Sequence, residues 1–248
     1  MGSEKTDDGL VIDVTERSGA HGPGPVQEMD RRLFMQLLVY DCEQGLSASG
    51  AIAKLSKHAS ESDLPIVIYE DVNNPQGLGV LTWSDDPKHF VTRVRPALTV
   101  PALEHMRLRH DFTMLGRTYA TGYEPDLNHW LIQRPIDTAL NTAWPWAVWY
   151  PLRRSGAFEK VAPADRGKIL REHAEIGKAY GKQDLAHDIR LACHGLDAND
   201  NEFVIGLSSH SLHPISHIVQ TMRKTTQTSE YINQMGPFFV GHVAFRNG

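Results

Sequence analysis

Hydrophobic and polar positions fall into two successive series along this chain, and both series predict the same order of elements. The apolar runs of four to nine residues are rich in branched and aromatic residues and are bounded by turn residues, which is typical of β-strands. The segments between some of them carry apolar residues at helical spacing. The first series predicts, in order, a strand at Leu33–Cys42, a helix at Ser47–His58, strands at Leu64–Val72 and Gly77–Trp83, a helix at Asp85–Val94 and a strand at Arg107–Tyr119.

The second series repeats this order. It predicts a strand at Pro145–Tyr150, a helix at Pro163–Lys182, strands at Leu185–Gly195 and Glu202–Ser208, a helix at His213–Thr226 and a closing strand at Pro237–Phe245. The order βαββαβ is that of a ferredoxin-like unit. We therefore predict an α+β fold, a dimeric α+β barrel in which two tandem ferredoxin-like units face each other and helices cover the outside.

The boundaries of the two units follow from the composition between them. Residues 1–30 are polar and rich in glycine and proline, which predicts an extension with little independent structure. Its one apolar piece, Leu10–Val14, could dock as an edge strand. The first unit then spans residues 31–143, with Gly122–Thr142 as a connector, and the second unit spans residues 144–248.

Composition narrows the class of protein. The chain has 248 residues, 41% of them hydrophobic and 22% charged, with a formal net charge of -5. A basic block is missing, which argues against a nucleic-acid partner. Cys42 and Cys193 are isolated, so they predict neither a disulfide framework nor a cysteine metal site. Without a run of 18 apolar residues or a signal-peptide pattern, we expect a soluble, cytoplasmic protein.

The long helix of the second series carries one histidine in its apolar stripe. Ile169, Leu170, Ile176 and Tyr180 share a helical face with His173, while the opposite face is charged. A buried imidazole needs a partner for its polar nitrogens, which can be a carbonyl, a carboxylate, a water or a metal. The pattern leaves a core histidine and a metal ligand open.

Four motifs in this order resemble those of the chlorite dismutase superfamily, and within it the coproheme decarboxylases. They are YPLRR at the end of the predicted strand, EH in the long helix, HGLD after it, and MRKT followed by GPFFVG near the end of the chain. The resemblance covers roughly residues 30 to 246 and is strongest from Trp144 onward. It implies the dimeric α+β barrel with an iron porphyrin in the second unit, bound through His173 as the iron ligand.

The resemblance also implies roles for other residues. Tyr150 matches the tyrosine that forms a radical beside a propionate of the substrate. Arg154, with Arg153 beside it, matches a basic residue four positions later, although a solvated loop would explain both arginines equally well. The remaining matches are propionate contacts at Arg223, Thr228 or Ser229, Arg134 and, less directly, Tyr119.

Two departures separate the chain from chlorite dismutases themselves. The position of their arginine above the iron falls at Ala186 or Asp188, depending on the direction of counting, and neither is arginine; Arg190 shares that strand face. The glutamate that bonds their proximal histidine corresponds to a position near Ser208. A distal base has three candidates: His187, Asp188 and His129.

The resemblance therefore implies a haem-dependent oxidoreductase that uses hydrogen peroxide to decarboxylate two propionates of coproheme and gives haem b. Coproheme would be both substrate and cofactor. The alternatives are a haem b-binding peroxidase or chlorite dismutase-like enzyme, a non-enzymatic haem-binding protein, and a barrel without porphyrin in which His173 is a core residue. A homo-oligomer, with a pentamer favoured by the two-unit length, is also implied.

Overall fold

The computed structural model describes residues 10–19 and 25–248, and within them an α+β protein. The strands are β1 (Glu16–Ser18), β2 (Gln27–Met29), β3 (Phe34–Cys42), β4 (Ile66–Asp71), β5 (Gly77–Ser84), β6 (Met106–Leu108), β7 (Met114–Arg117), β8 (Trp146–Arg154), β9 (His187–Ala192), β10 (Phe203–Ser209), β11 (Ile232–Met235) and β12 (Phe239–Asn247). The helices are α1 (Ala48–Ser62), α2 (Arg95–Leu98), α3 (Arg134–Leu140), α4 (Pro163–Lys182), α5 (Leu212–Met222) and α6 (Thr226–Tyr231).

Eight strands close into an antiparallel barrel. Their order is β3-β5-β4-β12-β8-β10-β9-β7, and β7 pairs again with β3. The four barrel strands of each half can be numbered from first to fourth along the chain. Side by side in the sheet they lie in the order fourth, first, third, second, which is the arrangement of a ferredoxin-like unit. The predicted barrel of two such units is therefore confirmed.

One apolar core is shared by the two units, and each unit has a second core on its outer face. The shared core contains Met35 from the first unit and Trp149 and Phe239 from the second. The outer core of the first unit packs under α1, whose Ala51, Leu55 and Ala59 are fully buried. The outer core of the second unit lies under α4 and α5.

Several predicted elements are broken where local polar groups compete for the backbone. The helix predicted from Asp85 begins only at Phe90, as a π-helical turn that continues into α2, because Ser84 and Asp86 accept backbone N–H groups and form a turn first. The strand predicted at Arg107–Tyr119 is two short strands, β6 and β7, separated by a 3-10 turn at His110–Phe112.

The predicted helix at His213–Thr226 is also interrupted. It begins at Leu212 and ends at Met222, and Thr225 then caps a new helix, α6, by accepting a hydrogen bond from the backbone of Thr228. The predicted connector Gly122–Thr142 contains α3, preceded by a π-helical turn at His129–Gln133.

The N-terminal segment carries structure that its composition did not predict. Leu10–Val14 is not a strand and its apolar side chains are exposed. Instead β1 and β2 pair, and Glu16 fixes β1 to the barrel through Arg32 at 3.0 Å, Arg117 at 3.1 Å and the backbone N–H of Ala120 at 2.9 Å. None of the described helices combines the length and the apolar composition that a membrane-spanning segment needs.

Candidate functional site

The long helix α4 lies over the sheet of the second unit without closing onto it. Ile176 and Tyr180, in its second half, pack against the outer core of that unit. Ile169 is only half-buried in the first half and Leu170 is 42% exposed. No residue of α4, all of which is described, is buried. The apolar face of α4 therefore turns toward the sheet but is only half covered by it, and less so in its first half.

His173 lies at the middle of this helix, and one of its ring nitrogens has no hydrogen-bond partner among the described residues. This nitrogen, Nδ1, is buried. Burial lowers the pKa of His173 and the charge of Arg190 lowers it further, while Asp188 and Glu172 act in the opposite direction. The result is a neutral imidazole, the form that binds metals, with an unsatisfied polar atom of a kind that is rare in folded proteins.

The sheet beneath α4 presents two neighbouring rows of side chains to the helix. Val148, Leu207 and Asp188 lie in register on β8, β10 and β9. Two residues along each strand, Tyr150, Ile205 and Arg190 form the next row. Because side chains alternate between the faces of a sheet, both rows share one face. Arg190 and Asp188 are therefore on the same strand face, as predicted.

Tyr150 is buried on this face, and its ring stacks on Phe238 with 4.7 Å between centroids. Burial raises the pKa of the phenol strongly, the charge of Asp188 raises it further, and Arg223 lowers it. Tyr150 therefore stays protonated at neutral pH. Phe238, whose GPFFVG motif carried part of the resemblance, was not predicted as a contact of Tyr150.

Arg134 and Arg190 share the carboxylate of Asp188. Arg134 donates to Oδ1 of Asp188 at 2.6 Å and to its backbone carbonyl at 2.9 Å, and Nε of Arg190 lies 3.0 Å from Oδ2. Trp130 lies beneath the guanidinium of Arg134 at 4.7 Å from its ring centroid. Burial disfavours ionisation of Asp188, but the two arginines outweigh it and hold its pKa below the ordinary value. Arg134 thus has a carboxylate partner within the chain.

Arg154 and Arg153 are the last two residues of β8, so the alternative of a solvated loop is wrong. Arg154 binds Glu202, with Nε at 2.9 Å and Nη2 at 2.5 Å from Oε1. Arg153 donates to the carbonyl of Asn199 at 2.9 Å and lies 3.6 Å from Asp200. Glu202, which the sequence places just after the turn, was missed as the partner of Arg154.

Arg223 differs from these arginines. It follows the end of α5, is exposed, and has no ion-pair partner within the part of the chain that the structure describes. The charge of Arg223 nevertheless lowers the pKa of the Tyr150 phenol. Thr228 is half-buried and its hydroxyl lies 3.2 Å from that of Thr225, while Ser229 donates to the carbonyl of Thr225 at 2.9 Å.

The three residues predicted as candidate distal bases do not lie on the same face of the sheet. His187 stacks on Trp144 at 3.7 Å and bonds Asp184 at 2.7 Å, on the sheet face opposite Asp188. His129 is exposed. Of the three predicted distal bases, only Asp188 lies on the face that α4 covers.

Three other positions that the resemblance singled out are Ala186, Ser208 and Tyr119. Ala186 is buried within the outer core of the second unit. Ser208 pairs with His187 and shares its face, so it lies away from α4. Tyr119 is half-buried beside Phe203, with ring centroids 5.7 Å apart, and burial raises the pKa of its phenol while Arg190 lowers it.

The donor set fits an iron porphyrin better than a bare metal ion. Among the residues that the structure describes, no group of three or more histidine, cysteine, aspartate or glutamate side chains could hold a metal ion. A single imidazole in an apolar environment suits an iron whose other ligands come from a porphyrin. His173 is the residue that could supply such an imidazole, and Arg223, without an ion-pair partner among the described residues, could meet a carboxylate of such a ligand.

Known proteins share this fold. The family model described as chlorite dismutase matches residues 133–244. The structure of a protein described as a novel heme-binding protein from Thermus thermophilus is 17% identical, with 90% of this chain and 95% of that chain covered and a TM-score of 0.67. A structure of chlorite dismutase from Candidatus Nitrospira defluvii in complex with imidazole is 10% identical, with coverage of 88% and 93% and a TM-score of 0.68. A search of curated proteins gives no significant match.

The family match covers the whole region between α3 and β12, which includes α4, the two rows of the sheet face and Arg223. The solved structures cover nearly all of the chain and show the same barrel. The resemblance drawn from the four motifs is thereby confirmed: residues 133–244 are similar to the chlorite dismutase family, and nearly the whole chain shares the fold of these solved structures.

Proposed function

We propose that the chain binds an iron porphyrin through His173 and, with hydrogen peroxide, converts coproheme to haem b by oxidative decarboxylation. The observation that carries this proposal is the open geometry of α4. Its central imidazole has a buried nitrogen without a partner among the described residues, and the apolar side chains of its first half are only partly covered: Ile169 is half-buried and Leu170 is exposed. A flat apolar ligand between α4 and the sheet would cover both.

Tyr150 supports the choice of reaction. Its phenol is buried on the sheet face under α4 and stays protonated, so it can supply a hydrogen atom. Arg223 brings a positive charge close to the phenol and can hold a propionate carboxylate beside it. We propose Arg134, Arg153, Arg154 and Thr228 as further propionate contacts only where the ligand displaces their present partners.

The bound iron porphyrin, oxidised by peroxide, supplies the oxidising equivalents. Tyr150 gives up its phenolic hydrogen atom and then takes one from the β-carbon of the neighbouring propionate. Loss of a further electron breaks the bond to the carboxylate, carbon dioxide leaves, and a vinyl group remains. For each propionate, one hydrogen atom and one electron are removed, and with one proton from solvent they reduce one hydrogen peroxide to two water molecules, so the step balances.

The test is to add ferric coproporphyrin III to the apoprotein, titrate with hydrogen peroxide and follow the products by mass spectrometry. We expect stepwise loss of two formic-acid equivalents and accumulation of haem b. Binding without loss of mass would refute the decarboxylation and leave a haem-binding protein. Failure to bind any iron porphyrin would refute the role of His173 as well.

A second candidate function has one observation in its favour. Arg190 lies on the sheet face that α4 covers, in the same row as Tyr150. A positive charge there would suit a haem b peroxidase or a chlorite dismutase-like enzyme, in which an arginine stabilises an anionic oxygen ligand. That enzyme would retain haem b unchanged during peroxide turnover with an external reductant.

A further inference from the structure

Asp188 pairs with two arginines that could otherwise bind carboxylates of a porphyrin. This inference rests on the proposed function. A porphyrin with carboxylate side chains needs free cationic partners. Asp188 already holds Arg134 at 2.6 Å and Arg190 at 3.0 Å. The three groups together carry one net positive charge, and their two arginines are committed before any ligand arrives.

The geometry of Asp188 is that of a bound carboxylate ligand. One carboxylate oxygen faces Arg134 and the other faces Arg190. The backbone carbonyl of Asp188 also accepts from Arg134 at 2.9 Å, which holds that arginine to β9 even without the carboxylate. A charged hydrogen bond of this length is strong in a half-buried setting, so an incoming carboxylate must compete with it.

The three groups also lie next to the rest of the site. Asp188 and Arg190 belong to the two side-chain rows under α4. The charges of both residues affect the pKa of His173, and the charge of Asp188 also affects the pKa of Tyr150. A carboxylate carried by a ligand on this face would therefore meet the same arginines that Asp188 occupies.

We propose that Asp188 is a built-in competitor for the carboxylates of the ligand, and that it limits how strongly the site prefers porphyrins with more carboxylates. Removing its charge leaves Arg134 and Arg190 without an anionic partner, although Arg134 keeps its hydrogen bond to the backbone carbonyl of residue 188. A porphyrin with four carboxylates then gains more than one with two, because more of its carboxylates can reach the freed arginines.

The experiment measures affinity in the absence of peroxide, so it does not depend on turnover. Apoprotein of the wild type and of Asp188→Asn is titrated with ferric coproporphyrin III, which has four carboxylates, and with ferric protoporphyrin IX, which has two. Quenching of tryptophan fluorescence and the porphyrin absorbance give each Kd. Asp184→Asn is the matched control, because Asp184 is also a hydrogen-bonded aspartate but lies on the other side of β9, against His187.

We expect Asp188→Asn to tighten coproporphyrin binding about tenfold, the equivalent of about 1.4 kcal/mol, and to raise the ratio of the two affinities. The double variant Asp188→Asn with Arg134→Gln should lose most of this gain. Asp184→Asn should leave both values unchanged. An unchanged ratio, or weaker coproporphyrin binding in Asp188→Asn, would overturn the inference, since Asp188 would then only position Arg134.

A second pair of variants tests the same point without removing Asp188. Arg134→Gln should weaken coproporphyrin binding less than Arg223→Gln, because Arg134 is already paired and Arg223 has no ion-pair partner among the described residues. The reverse ranking would refute the competitor role even if Asp188→Asn did not fold. If the wild type bound neither porphyrin, the proposed function would fail together with the inference. If it bound both but Asp188→Asn left their ratio unchanged, the inference alone would fail.

Discussion

Replacing Tyr150 with phenylalanine should separate the chemistry of the site from its structure. The hydroxyl of Tyr150 makes no hydrogen bond with any described residue, whereas its ring stacks on Phe238 at 4.7 Å. Tyr150→Phe keeps the ring, so the free energy of unfolding should change by less than about 1 kcal/mol. For a chain of this length, that corresponds to a shift in Tm of no more than about 4 °C.

The same substitution should nearly abolish decarboxylation. Without the phenolic hydrogen, the propionate loses its hydrogen-atom acceptor, and we expect the rate of haem b formation to fall about 100-fold or more. The assay is mass spectrometry of coproheme-loaded protein during peroxide addition, with the Kd for coproheme measured in parallel. Phe238→Leu is the matched control, because it removes the stacking partner but keeps the phenol.

Two results would refute this reasoning. Haem b formation at the wild-type rate in Tyr150→Phe would show that another group takes the hydrogen atom from the propionate. Loss of coproheme binding in Tyr150→Phe would show that the hydroxyl holds the ligand. Phe238→Leu should lose about 0.5–1.5 kcal/mol of stability through the missing aromatic pair and should keep measurable turnover.

Three further predictions concern the imidazole and the barrel. His173→Ala should lose ferric porphyrin and its absorbance band, and added imidazole should restore the band; an unchanged band would exclude His173 as the iron ligand. Because burial and Arg190 lower the pKa of His173, the folded apoprotein binds fewer protons there than the unfolded chain as pH drops below about 6.5. Its free energy of unfolding should therefore fall between about pH 7 and pH 5, and urea unfolding should show a smaller fall for His173→Gln. Gly206→Ala should destabilise the barrel by about 1–3 kcal/mol, since its Cβ would lie 2.6 Å from the ring of Trp149. Gly156→Ala, where the added Cβ meets nothing within 4 Å, should leave Tm nearly unchanged.

The order of elements could be predicted because it depends on periodicity alone. β3 alternates between buried and half-buried positions over most of its length, and β5 is buried over seven consecutive residues. The breaks could not be predicted, because they depend on single side chains that bond the backbone. Thr225 ends one helix and starts another through its own hydroxyl, and a helical pattern does not reveal which threonine will do so.

For the candidate site, the sequence could predict that some residues share a sheet face, but not which side chains pair with each other. Tyr150 and Arg190 were assigned from motifs and strand alternation, and the register places them in one row. The sequence could not show that Asp188 joins Arg134, because these residues are 54 positions apart and meet only when α3 packs beside β9. Similarly, Glu202 lies 48 positions from Arg154, and the two meet only because β10, which follows Glu202, pairs with β8 inside the second unit.

The two units differ in how closely the long helix of each packs on its own sheet. Small residues along α1, such as Ala51 and Ala59, let that helix approach the sheet closely, and both are fully buried. The corresponding stripe of α4 has larger apolar residues, yet Ile169 is half-buried and Leu170 is exposed. Larger apolar side chains bury more surface when a partner is present, so leaving them uncovered costs more. This difference supports the proposal that an apolar ligand lies between α4 and the sheet and is bound through His173.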